Sequence, residues 1–117
     1  VYHFTSEPLA DALLDLVQRG VQVEGVIEAR TVDDPYSQYS RLRQGGVAVL
    51  TDGNPYLMHH KVLIVDDRIV ALGSYNFTRN AEEENDENVL ILYDQAIAGE
   101  FVAEFERVVA EAQSGGP

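Results

Sequence analysis

The chain has no cysteine among its 117 residues. That excludes disulfides, thiolate metal sites and cysteine nucleophiles, and leaves nitrogen and oxygen groups to carry any chemistry. No apolar run approaches the roughly 18 residues that a membrane-spanning helix needs, and the 45% hydrophobic and 24% charged residues are the usual composition of a globular domain. Cations are scarce: 8 Lys and Arg stand against 20 Asp and Glu, a formal net charge of -12. This argues against a loose basic grip on nucleic acid, because such binding draws most of its affinity from cations that neutralise phosphates. An acidic surface serves solvation first. Lysine is nearly absent as well. Lys61 is the only one, and it stands two residues after His59.

The opening Val1-Tyr2-His3-Phe4-Thr5 reads as a strand already under way, which suggests a piece of a longer chain; targeting is left open. Thr5 or Ser6 is expected to cap a helix running to about Gln18, with Pro8 in its first turn, Leu9, Leu13, Leu16 and Val17 on one face, and Gly20 as its stop. Strands are predicted at Val21–Ile27 and Val47–Leu50, with a short helix from Tyr36 to Gln44 between them. A further strand is predicted over Leu57–Val65. Asp66-Asp67-Arg68 then turns the chain into Ile69–Gly73, and Val89–Tyr93 follows as another apolar strand. The last helix starts near Asp94 and carries Ile97, Phe101, Phe105 and Val108 as one stripe. The expected fold is α/β, a mixed, mostly parallel central sheet flanked by helices, forming a single domain over 1–113 with 114–117 as a disordered tail.

In a strand, residues two apart share a face, so His59 and Lys61 are expected to project side by side while His60 points away. An imidazole can attack phosphorus near neutral pH, and an adjacent ammonium can neutralise phosphate oxygens as negative charge develops. A lone His-x-Lys also arises by chance in many chains. Here Asp66 completes His59-x-Lys61-x4-Asp66, and the next strand runs into Gly73-Ser74-Tyr75-Asn76-Phe77-Thr78, followed after a polar loop by Glu87-Asn88 and an apolar strand. In these elements the chain resembles the phospholipase D superfamily, both its small single-motif bacterial endonuclease-like members and the C-terminal lobe of a two-motif member. Family domains begin before the Tyr2-x-Phe4-Thr5 strand, so the first strand and helix of the family fold are expected to be missing from this stretch.

The resemblance implies a metal-independent, cofactor-free phosphodiesterase that works through a covalent phosphohistidine, nuclease-like in its chemistry. His59 would be the nucleophile, Glu87 the carboxylate that orients it, and Lys61, Ser74 and Asn76 the groups that hold the phosphate. Asp66 and Gly73 belong to the motif as structural residues, since a fully extended strand would put Asp66 more than about 20 Å from His59. His60 is read as structural and His3 as able to line the rim. The family uses a second histidine to protonate the leaving oxygen. With one motif present, a homodimer or a second lobe in a longer chain is the implied partner. Two alternatives stand beside the nuclease: phospholipase D or cardiolipin-synthase-type phosphatidyl hydrolysis or transfer, and a noncatalytic binding or assembly module. An apolar rim at the mouth would favour lipid, and a groove lined by Arg41, Arg43, Arg68 and Arg79 would favour nucleic acid.

Overall fold

The first helix, α1 (Glu7–Gln18), begins where its cap predicts: the Ser6 hydroxyl accepts from the Leu9 amide at 3.3 Å, and Pro8 occupies the first turn, where its missing N–H costs nothing. The computed structural model describes residues 1–74 and 87–114. After α1, strand β1 (Glu24–Ile27) leads through a short 3-10 turn (Ala29–Thr31) and α2 (Tyr39–Gln44) to β2 (Ala48–Thr51), which lies parallel to β1 with Glu24 opposite Ala48 and Ile27 opposite Thr51. Phe4, Ala10, Ile27, Leu42, Val47 and Val49 are buried together and hold α1 and α2 on this parallel pair. Leu16, expected on the buried face of α1, is exposed instead.

The opening segment forms only an isolated bridge at Phe4 rather than a strand. It is nevertheless fixed along its length. The Glu28 amide donates to the Val1 carbonyl at 3.1 Å, the Thr31 hydroxyl to the Tyr2 carbonyl at 2.8 Å and the Gln38 amide to the Phe4 carbonyl at 2.9 Å.

Strands β3 (Val62–Val65), β4 (Ile69–Gly73) and β5 (Val89–Tyr93) form an antiparallel sheet in the order β3-β4-β5. Its tight corner is made by Asp66 and Asp67, both at φ 54°, with the Arg68 amide bonded to the Val65 carbonyl at 3.1 Å. Aspartate tolerates this left-handed backbone better than most residues with a side chain. The mixed α/β architecture is therefore present. Its weight differs from the expectation, because among the described residues one strand pair is parallel and two are antiparallel, the two-aspartate corner folding β3 straight back onto β4. Helix α3 (Gln95–Gln113), capped by the Asp94 carboxylate at 3.0 Å from the Ile97 amide, packs against both groups of strands. Val108 is buried with Val26 and Met58, which joins the two halves. Ser114, assigned to the tail, instead closes α3 by bonding the Ala110 carbonyl.

Candidate active site

The ladder of β3 starts only at Val62, so His59, His60 and Lys61 lie in the segment leading into it and not, as predicted, within the strand. The reason is upstream. The Met58 amide donates to the buried Glu28 carboxylate at 2.6 Å, and the Leu57 carbonyl accepts from the Asn54 side chain at 3.3 Å, so neither group is available for a ladder. The segment is thus tied over the C-terminal ends of β1 and β2, the position where open parallel sheets commonly place their ligands.

His59 and Lys61 still meet. The Lys61 ammonium lies 2.9 Å from His59 Nδ1 and 3.3 Å from Nε2, facing the ring edge between the two nitrogens, and 3.3 Å from the His59 carbonyl. Partial burial lowers the lysine's pKa, and the carboxylate of Glu87 opposes that shift by attracting the charged form. Glu87 is in turn bonded to the Ser74 hydroxyl. That hydroxyl also accepts from the Asn88 amide at 3.2 Å, and the Ser74 amide donates to the Asn88 carbonyl at 3.2 Å, which continues the β4-β5 pairing one step beyond Gly73. The structure thus pairs His59 with Lys61 and Ser74 with Glu87, and the charge of Glu87 acts on Lys61. Asn76, Arg79 and the acidic run 82–86 lie outside the described residues. Asp66 stands at the other end of β3, in the turn, and Gly73 lies beside Asn88 with φ 154°.

Three residues of this neighbourhood went unassigned in the sequence. The Tyr2 ring sits 4.7 Å from the His59 ring, tilted by 52°, and the Lys61 ammonium lies 5.7 Å from the centre of the same ring, within cation–π range. Glu28 and Asp52, both buried, follow directly on β1 and β2. Asp52 accepts from the Ala29 and Asn54 amides at 2.7 and 3.1 Å. Alternation of apolar residues hides such carboxylates; the only signal was an acidic residue closing each of two apolar strands. His3 has a partner of its own. Its Nε2 faces Asp34 at 3.4 Å.

His60 turns to the opposite side, where its Nε2 lies 3.2 Å from Glu104 on α3, and Glu104 also receives Arg107 at 2.6 and 3.0 Å. The paired guanidinium, with a smaller contribution from His60, holds the Glu104 carboxyl well below its ordinary range, at about 2. A carboxyl lowered on folding stabilises the fold above its ordinary value of 4.5 and loses that contribution as pH falls from there towards about 2. The side chain is about a third exposed, at 35%, and water screens the pair, so the effect is small. Melting temperature followed from pH 5 to 2 should fall more steeply in the native chain than in Glu104→Gln; parallel curves would show that this pair does not couple the His60 segment to α3.

Among the described residues no group of three His, Asp or Glu side chains is placed to hold a metal ion. Among the described residues, Arg41 pairs with Asp11, Arg43 bonds the Tyr39 hydroxyl and Arg68 sits in the far hairpin, so these three form no groove at the site, while the Arg30 guanidinium bonds the Pro55 carbonyl at 3.1 Å in the loop before His59. Two large apolar side chains are exposed close to His59 in the sequence. Tyr56 and Leu57, in the loop just before it, are 79% and 42% exposed.

The family profile described as cardiolipin synthase, PLD-like domain, matches residues 1–109. The mitochondrial cardiolipin hydrolases of Xenopus laevis and Homo sapiens are each 41% identical, over 95% and 92% of this chain; the chain spans only 53% and 43% of their lengths. Among solved structures, the phospholipase D family member Nuc from Salmonella typhimurium superposes with a TM-score of 0.89 at 32% identity, covering 95% of this chain and 75% of that one. NucT from Helicobacter pylori gives the same TM-score at 26% identity.

Proposed function

The chain belongs to the phospholipase D superfamily, in the family described as cardiolipin synthase, PLD-like domain, and from that membership we propose that it hydrolyses phosphodiesters through a covalent phosphohistidine. The contact between the Lys61 ammonium and the His59 ring, 2.9 Å from Nδ1, carries this reading. One ring nitrogen attacks phosphorus in line, forming a P–N bond as the P–O bond to the leaving alcohol breaks; water then attacks the phosphohistidine and returns the free imidazole. Lys61, Ser74 and Asn76 hold the non-bridging oxygens, and Glu87, whose charge already acts on Lys61 beside the ring, orients the imidazole. The leaving oxygen needs a proton while His59 is engaged. A second copy of this chain, meeting the first about a twofold axis beside His59, supplies that histidine; a second lobe in a longer chain would serve equally.

The nuclease-like and phospholipid readings differ in what must surround the phosphate. Nucleic acid needs cations along its backbone, and the chain carries -12, with Arg41 and Arg43 paired locally and Arg68 in the far hairpin. The exposed Tyr56 and Leu57 beside the nucleophile suit the apolar part of a phospholipid, and this favours the lipid. In the presence of EDTA, the purified protein should cleave bis(4-nitrophenyl) phosphate and release headgroup from phospholipid vesicles faster than it nicks single-stranded DNA. Activity that disappears with EDTA and returns with a divalent ion would sink the histidine mechanism. Faster cleavage of DNA would restore the nuclease.

A further inference from the structure

We infer that Glu28, which stands outside the reacting group, is a positioning residue that sets the place of His59 from two sides. It is 1% exposed, at the end of β1, among residues that offer it little water. A carboxylate in such a place must be hydrogen-bonded to be tolerated, and which groups it binds indicates what it organises. One oxygen, Oε2, accepts from the Met58 amide at 2.6 Å, so the Leu57–Met58 peptide unit, one residue before His59, is fixed to the sheet. The other, Oε1, accepts from the Arg30 amide at 3.3 Å and caps the 3-10 turn Ala29–Thr31. That turn ends on Thr31, whose hydroxyl bonds both the Glu28 carbonyl at 2.9 Å and the Tyr2 carbonyl at 2.8 Å. Tyr2 in turn packs its ring against the imidazole at 4.7 Å. The backbone of the His59 segment and the aromatic wall of its ring thus both depend on one buried carboxylate, 31 positions earlier in the chain.

The consequence lies in the reaction rather than in binding. Glu28 is bonded to the Met58 and Arg30 amides and faces the Arg30 guanidinium at 3.9 Å, while Lys61, the group that holds the phosphate, is bonded to His59 instead, so the loss of Glu28 displaces the nucleophile without removing the lysine's phosphate contact. A misplacement of about 1 Å can lower turnover by about 100-fold. The inference rests on His59 being the nucleophile, so two kinds of measurement are needed. Glu28→Leu removes both acceptors. Glu28→Gln keeps one carbonyl oxygen for Met58 and turns an N–H2 towards the Arg30 amide, disturbing only the Tyr2 side, and it preserves shape if the leucine variant folds poorly.

With bis(4-nitrophenyl) phosphate, kcat should fall about 100-fold in Glu28→Leu and about tenfold in Glu28→Gln, with KM close to the native value in both. The ring-proton resonances of His59, shifted by the neighbouring Tyr2 ring, should move in both variants. An effect confined to KM, or a native kcat together with unmoved His59 resonances in the folded glutamine variant, would overturn the positioning role whatever happens to the melting temperature. Should His59→Asn keep activity, the nucleophile assignment fails on its own; the His59 resonances still decide whether Glu28 sets the place of that ring.

Discussion

Replacing His59 by Asn should lower kcat by roughly 10⁴-fold or more, the scale on which removing the nucleophile acts in covalent mechanisms. The same change at His60 should leave most of the activity. The two histidines are adjacent in sequence and opposite in surroundings: His59 shares its ring edge with the only lysine, whereas His60 faces Glu104 on α3. The experiment also addresses assembly. If two chains present their His59 side chains to one phosphate, mixing native chains with His59→Asn chains under verified exchange should make activity fall as the square of the native fraction. A linear fall would show each chain working alone and would end the shared-site reading. Equal losses at His59 and His60 would mean that the segment matters only as structure.

Much of this was legible in the sequence because local signals and global fold agree. Ser6 and Asp94 cap helices where their spacing to the following apolar residues places them, and Ile69–Gly73 and Val89–Tyr93 form strands with the predicted bounds, since continuous apolar runs between turns leave few alternatives. The pairing of His59 with Lys61 was legible for a reason only half right. Spacing by two was attributed to strand alternation, but the segment is held by Glu28 and Asn54 side chains and joins the ladder only at Val62. Long-range polar bonds of this kind, 30 residues apart between Glu28 and Met58, leave no periodicity to read. Tyr2 was hidden in the same way, since its position beside His59 depends on Thr31. The arginines were left open in the sequence, where a groove lined by Arg41, Arg43, Arg68 and Arg79 would have favoured nucleic acid; of these, Arg41 and Arg43 are committed to local acceptors and Arg68 sits at the far hairpin.

The polar lock behind Lys61 depends on an absent side chain, and Gly73→Ala should therefore be among the most damaging single substitutions. A Cβ built on Gly73 would stand 2.2 Å from the Asn88 carbonyl oxygen and 3.0 Å from its carbon, both backbone atoms that no rotamer change can move aside. The backbone there, at φ 154°, is also one that residues with a Cβ rarely adopt. To make room, Asn88 must retreat from β4. That retreat pulls apart the Ser74–Asn88 bonds and carries Glu87 away from the Ser74 hydroxyl and from Lys61. Backbone strain together with lost hydrogen bonds amounts to roughly 2–4 kcal/mol, which for a domain of this size lowers the melting temperature by about 10–20 °C. Turnover should fall with it even at temperatures where the variant remains folded, because the carboxylate and the ammonium no longer share one geometry. Gly99→Ala provides the contrast: on an exposed turn of α3, with nothing within 4 Å of the added carbon, it should stabilise the helix by about 1 kcal/mol. A Gly73→Ala protein that melts with the native chain and turns over normally would show that β5 can slide away from β4 without cost, and that the Ser74, Asn88 and Glu87 contacts do not hold the site.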